Sequence, residues 1–192
     1  FFETMTDVLA PIAPQFKTSG QTAIKLKEKK GIIGSDDSAT IEDKDGNPLF
    51  KIDAHFFTMS GRRTLRDSNG AEIGQLRKKK TPGLHATYYI GTMDDEKKCY
   101  VKKKGLTNIT KCDADIYVDG QVVGGASGNW RAKEFSITIA GNEVAKIGRG
   151  SSLGFNAMFF NADTYCIDIL VPGVDLAYIA LIANALDELY HD

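Results

Sequence analysis

Four glycine-centred turns limit what this chain can fold into more than any other feature of it. The stretch ATIEDKDGNPLFKI (39–52) sets an apolar run on each side of Asp45-Gly46-Asn47. TLRDSNGAEIGQL (64–76) repeats the scheme around Asn69-Gly70, DIYVDGQVVGGA (115–126) around Asp119-Gly120, and FSITIAGNEVAKI (135–147) around Gly141-Asn142. Gly, Asn and Asp accept the positive φ that tight two-residue hairpin turns demand. Four such signals in 192 residues predict an antiparallel meander.

Alternation within the runs agrees. Phe135, Ile137 and Ile139 alternate with Ser136 and Thr138, and Ile24 and Leu26 alternate with Lys25 and Lys27. Cys112, Ala114, Ile116 and Val118 form one face of a strand whose other face carries Asp113, Asp115, Tyr117 and Asp119. Such strands have one dry and one wet side. Read along the whole chain, the pattern gives twelve strands: about 22–29, 38–43, 48–53, 60–67, 71–79, 84–91, 96–104, 110–118, 121–127, 130–140, 143–149 and 163–171. They divide into six and six, with hairpins at corresponding places, as an internal duplication would leave them. A sheet of this size leaves costly edges unless it closes, and a closed twelve-stranded barrel is too wide for its own side chains to fill.

The filler is legible in the same sequence. VDLAYIALIANALDEL (174–189) follows a strand-breaking Pro172-Gly173, and no charge or amide interrupts Leu176–Ala183. Asp175 lies in the first turn of this predicted helix, where negative charge suits the dipole. About 16 helical residues span about 24 Å, whereas a bilayer core needs about 30 Å. Asp168 and Pro172 block any upstream extension. A helix apolar on every side is buried on every side. Small Ala180 and Ala183 among large Leu176, Ile179, Ile182 and Leu186 suit close wrapping by strands, so these six are expected to form the plug of the barrel. The expected organisation is an N-terminal extension over 1–20 and a single mainly β barrel domain over 21–192, two six-stranded repeats around a buried C-terminal helix.

Charge is balanced overall, at -1, which argues against nucleic acid as a partner. It is uneven along the chain. Residues 1–104 hold 19 Lys/Arg and 14 Asp/Glu, a difference of +5, and residues 105–192 hold 5 and 11, a difference of -6. The basic excess gathers in Arg62, Arg63 and Arg66 and in Arg77, Lys78, Lys79 and Lys80, on successive strands of one hairpin. Antiparallel pairing would bring Arg62–Arg63 beside Arg77–Lys80 at one rim, with Lys102–Lys104 near them. Such a rim suits an anionic lipid headgroup. Strand-end lysines also simply block edge pairing.

Catalytic patterns are missing from the sequence. His55, His85 and His191 have no metal-ligand spacing with a second His or Cys. GRGSSLG (148–154) lacks the lysine of a phosphate-binding loop and opens no predicted helix. Asp43, Asp45 and Asp67 each precede a hairpin glycine, where turn geometry explains them. Three cysteines, Cys99, Cys112 and Cys166, form no CxxC pair and fit a reducing compartment, cytoplasmic or peripheral to a membrane; Cys112 and Cys166 lie in apolar strand patterns as buried thiols. Asn108-Ile109-Thr110 matches a glycosylation acceptor that needs a secretory context to matter. No enzyme, cofactor or metal is expected.

Several stretches together resemble one known family. PQF (14–16), DKDGNPLFKI (43–52), RRTLRDSNGAEIGQLRKK (62–79), GLHATYYI (83–90) and PGVDLAYIALIANALDEL (172–189) resemble the LURP-one-related family, a branch of the tubby-like and phospholipid-scramblase-like proteins. The resemblance runs from about residue 14 to the end. It implies a twelve-stranded barrel around a central C-terminal helix, in agreement with the reading from the residues. It implies little about mechanism. Tubby-like relatives bind phosphoinositide headgroups, and scramblase relatives associate with membranes and bind calcium. No lipid-binding motif matches position by position, and no short acidic run has a calcium-loop spacing. The expected function is therefore a non-enzymatic module that engages protein partners, with phosphoinositide binding through the basic rim as the alternative and a scramblase-like membrane activity as the third.

Overall fold

The structure, a computed structural model, describes residues 8–29, 38–54, 62–79, 86–91, 99–104, 111–129, 134–151, 153 and 164–191. Among the described residues a short 3-10 turn (Pro14–Phe16) and twelve strands precede one long helix. The strands are β1 (Thr22–Lys29), β2 (Ser38–Asp43), β3 (Pro48–Ala54), β4 (Arg63–Asp67), β5 (Glu72–Lys79), β6 (Thr87–Gly91), β7 (Cys99–Lys103), β8 (Lys111–Val118), β9 (Gln121–Asn129), β10 (Glu134–Ile139), β11 (Asn142–Gly148) and β12 (Thr164–Ile169), and the helix is α1 (Leu176–His191). Each strand pairs antiparallel with its neighbours in sequence, and β1 pairs with β12 (Ala23↔Asp168, Leu26↔Tyr165) to close the barrel. No described edge is left open, as the cost of unpaired backbone demands.

The hairpins are built in two ways, which corrects the uniform two-residue turn read from the sequence. After β8 and β10 the turns are Asp119-Gly120 and Ala140-Gly141, all four residues at positive φ. The second is thus one residue earlier than Gly141-Asn142. After β2 and β4 only Gly46 and Gly70 have positive φ. There an aspartate side chain stands in for the missing backbone bonds. The Asp43 carboxylate accepts from the amides of Asp45 (2.9 Å) and Asn47 (2.8 Å), and the Asp67 carboxylate from those of Asn69 and Ala71, both 2.9 Å. The Asn47 side chain, followed by those amides, holds the Asp43 carboxyl below its ordinary range. Asp43 and Asp67 are turn-makers, as the sequence indicated.

One irregularity recurs in all four. The register skips a residue at Leu49, Ile73, Val123 and Val144, each three positions after the turn glycine. These extra residues are apolar and packed on the core. A bulge adds twist and bend to its strand, and four bulges, two in each half, curl the sheet until β1 meets β12.

Inward-facing Leu26, Ile41, Phe50, Ile52, Leu65, Leu76, Ile90, Val101, Ile116, Ile137 and Ile167 line the interior and are at most 2% exposed. The centre of that interior is α1. Ile179, Ala180, Ile182, Ala183 and Leu186 are completely buried or within 1% of it. Leu176, in the first turn, is only partly buried. The approach is close: a Cβ on Gly74 of β5 would stand 3.0 Å from Leu181 Cδ1. The helix begins two residues later than the sequence pattern suggested because Asp175 is its N-cap. Its carboxylate accepts from Ala177 N–H (2.8 Å) and, at 2.6 Å, from Ala13 N–H.

The second of those bonds draws residues 8–18 onto the barrel. Asp175 N–H donates to Leu9 O, Thr18 N–H to Val174 O and Gly173 N–H to Thr18 O. Ala10, Ile12 and Ala13 are buried, and Phe16 meets Phe50 edge to face at 4.9 Å. Of the stretch 1–20, set outside the barrel domain by the sequence reading, these residues form a strap across the end where α1 starts.

Two outcomes follow. Ile179→Asp places an unpaired charge in the core, and should abolish the cooperative urea transition; a mutant that melts as sharply as wild type would show a peripheral helix. Burial pushes the Asp175 carboxyl up to about 6, against the pull of the Ala13, Tyr178, Ala177 and Ile12 amides. The folded state thus holds this proton more tightly than an unfolded Asp, whose ordinary value is about 3.9. The stability difference between wild type and Asp175→Asn should shift towards wild type as pH falls through about 6 and level off below about 4, as read by urea unfolding at each pH.

Candidate functional site

The strand register decides what the basic clusters become. Arg63 pairs with Leu76, Lys78 with Tyr88, Thr87 with Lys102 and Lys103 with Ala114, so these strand ends reach one end of the barrel. It is the end at which α1 finishes. The Arg63 guanidinium is hydrogen-bonded and ion-paired to Glu188 on the helix. Lys103 Nζ sits 4.6 Å from the Tyr190 ring centroid, and Tyr190 Oη accepts from Asp113 N–H at 2.6 Å. Lys78 Nζ lies 5.6 Å from the ring centroid of buried Tyr88. Lys104 pairs with Asp115 at 3.0 Å, and Asp115, then Asp113, raise its pKa. Cations favour a helix C-terminus because its last carbonyls carry partial negative charge. Arg63, Lys78 and Lys103 of the rim are therefore directed inward.

The residues named from sequence thus separate. Arg63 and Lys78 lean inward on the helix and Tyr88. Arg77 and Lys79 lie on the outer wall, where Arg77 Nε donates to Gln75 Oε1 at 3.3 Å. Lys79 is exposed. Arg62 has a buried Nε beside this end. Arg66 turns away to Glu72 (2.5 Å) and Asp53. Lys80, His55, His85 and the Asn108 acceptor lie outside the described residues, as does the side chain of His191.

Among the described residues no group of three His, Cys, Asp or Glu is placed to hold a metal. Tyr88 Oη, Tyr178 Oη and the Asn184 amide are buried without hydrogen-bond partners among the described residues, and burial raises both tyrosine pKa values. On β12 all six residues are buried, because the outward side chains are covered too. There Ser151, from the GRGSSLG stretch, donates to Asp168, and the Cys166 thiol is pushed up to about 12 by burial, then by Asp168. A thiol held protonated is a poor nucleophile. Cys99 and Cys166 are both buried, and the side chain of Cys112 is outside the described residues.

The outer wall carries an arrangement that single-strand periodicity misses. Arg77, Tyr89, Tyr100, Tyr117 and Val122 stand directly opposite one another on β5 to β9. Tyr100 and Tyr117 stack at 4.3 Å and 9°, and Tyr89 tilts against Tyr100 at 5.6 Å. The bulge at Val123 turns Val122 out to 56% exposure, making it the exposed large apolar side chain of the described surface. Beside it, bare backbone at Gly124 and Gly125 floors a depression of about 410 Å³.

The sequence model of the LURP-one-related family matches residues 22–187, the barrel and the first three turns of the helix. The chain belongs to the LURP-one-related family. It is 24% identical over 165 residues to Protein LURP-one-related 15 of Arabidopsis thaliana, covering 80% of this chain and 74% of that protein. A crystal structure of an Arabidopsis thaliana protein matches with a TM-score of 0.63 at 18% identity, over 95% of this chain and 97% of the other, which shows a shared fold. In this LURP-one-related chain the match ends at residue 187, one short of Glu188, whose pairing with Arg63 ties the helix end to the wall. Glu188→Ala leaves Arg63, 18% exposed, facing the helix terminus alone. It should cost about 1–3 kcal/mol in urea unfolding, between the values of exposed and buried pairs.

Proposed function

We propose that this LURP-one-related protein is a non-enzymatic binding module that engages protein partners on its outer surface, inside the cell. One observation carries the reading: the barrel interior, where barrels of this width hold ligands, is taken up by α1, whose residues from Ala177 to Asp187 are buried. Recognition is left to the wall and the rims. The buried, protonated Cys166 and the turn-bound aspartates support the absence of a catalytic role. The experiment is isolation of a partner followed by calorimetry of the two purified proteins. Saturable binding at a fixed stoichiometry is expected; turnover of a substrate without a saturable protein partner would overturn it.

The run Arg77, Lys78 and Lys79 at one end of β5 favours a second reading, an anionic headgroup bound at that rim. It is the weaker one, since Lys78 lies over Tyr88 and neighbouring Arg63 is paired with Glu188. It predicts salt-sensitive binding to phosphoinositide-containing liposomes, at least tenfold weaker after Arg77→Ala/Lys78→Ala/Lys79→Ala. Equal binding to neutral and anionic liposomes would remove it. A scramblase-like activity using the last helix has less support, because among the described residues no helix is long and apolar enough to cross a membrane.

A further inference from the structure

We propose that the outer wall across β5–β9 is a docking surface for an acidic, extended peptide segment of another protein. The inference rests on the protein-binding reading above and specifies its surface and the chemistry of its partner. The row Arg77–Tyr89–Tyr100–Tyr117–Val122 crosses five strands, four spacings of about 4.8 Å or roughly 19 Å. That is the reach of about six extended residues. Its tyrosines are partly exposed yet already hold one another in place. Binding them therefore costs little further side-chain entropy, the property that makes tyrosine frequent at recognition surfaces.

The next row towards the rim gives the sign of the partner. Lys79, Thr87, Lys102, Asp115 and Gly125 are also directly opposed from β5 to β9. With Arg77 and Lys104, this part of the wall holds four cations against two carboxylates, Asp113 and Asp115, a difference of +2. An acidic segment complements it, and charge complementarity fixes partner and register more than it adds raw affinity. The far end of the row supplies the apolar contact. Val122 stands at the lip of the depression over Gly124 and Gly125, whose wall includes Thr138 and Lys104. The sheet itself requires those glycines: a Cβ on Gly124 would stand 2.0 Å from Thr138 O, and one on Gly125 2.9 Å from Ala114 O. The depression above them, about 410 Å³, has room for one side chain of the partner.

The ring geometry separates a peptide from other occupants. Single-stranded nucleic acid stacks its bases on open aromatic faces, but Tyr100 and Tyr117 spend their facing sides on each other at 4.3 Å. A membrane surface would be met by several protruding aliphatic side chains, whereas this wall offers Val122 alone among its described residues. Upright rings presenting edges and hydroxyls suit the mixed polar and apolar contacts of a polypeptide.

The test is selection of a random 16-residue peptide library displayed on phage against the folded full chain. Enriched peptides are then synthesised and titrated by fluorescence anisotropy, with dioleoylphosphatidylglycerol vesicles and oligo-dT as parallel probes. Enriched peptides should carry an excess of Asp and Glu with at least one aliphatic or aromatic residue. Their affinity should fall at least tenfold with Lys102→Glu, with Val122→Ser and with Tyr100→Ser, and stay unchanged with Lys146→Glu on β11. Lys102→Glu alters a polar surface position, so it keeps the test decisive even if Tyr100→Ser unfolds. Peptides indifferent to all three changes would overturn the surface and leave the protein-binding reading standing. No enriched peptide and no saturable protein partner would overturn both. Vesicle or oligo-dT binding abolished by the same changes would assign the wall to another class of partner and overturn the peptide.

Discussion

A helix without a polar side exists in water only if something surrounds it, and a twelve-stranded barrel exists only if something fills it. The rest of the molecule depends on this mutual requirement. It sets the small residues of α1, since Ala177, Ala180, Ala183 and Ala185 let the strands close in. It sets Gly74, where even a methyl group would press on Leu181. It also dictates how the helix is held at its two ends, where peptide groups lack partners within the helix. At one end Asp175 binds amides of α1 and of the strap; at the other, Arg63 and Lys103 meet Glu188 and Tyr190. The same requirement fills the centre, so the volume that would otherwise receive a ligand holds the protein's own side chains.

The wall is regular in its pairing and irregular at chosen points. Every strand pairs with its sequence neighbours, so the topology asks little of the chain beyond eleven reversals. The curvature comes from the bulges that follow four of the turns. One of them does two things. At Val123 it bends β9 and turns Val122 to the outside, so the device that helps close the barrel also creates the apolar end of the outer tyrosine row.

What could be read from sequence follows from range. Strand alternation and turn glycines are local properties, and they placed all twelve strands and the helix close to their observed bounds. Asp43 and Asp67 were legible as turn residues for the same reason. The exact turn was not: Ala140 carries no mark of positive φ, yet it adopts φ 50 beside Gly141. Contacts between distant residues were hidden altogether. Arg63 lies 125 positions from Glu188, and Ala13 lies 162 from Asp175. Nothing near either end announces its partner, so Arg63 and Lys103, read as rim charge, turn out to anchor the helix end. The tyrosine row was invisible in a third way. Each tyrosine alternates correctly within its own strand, but their alignment depends on register across five strands.

The order in which the elements are made gives the closing contact of β1 with β12 a further meaning. These strands lie more than a hundred residues apart, and α1 is translated after both. On the ribosome, which adds about 5–20 residues per second, the wall is synthesised for many seconds before its filling exists. During that interval hairpins can form from local contacts, but the inner face has nothing to cover it. Cylinder and contents must be completed together, once α1 leaves the exit tunnel. A chain truncated before Val174 would carry a sheet whose inner apolar face has nothing to cover it.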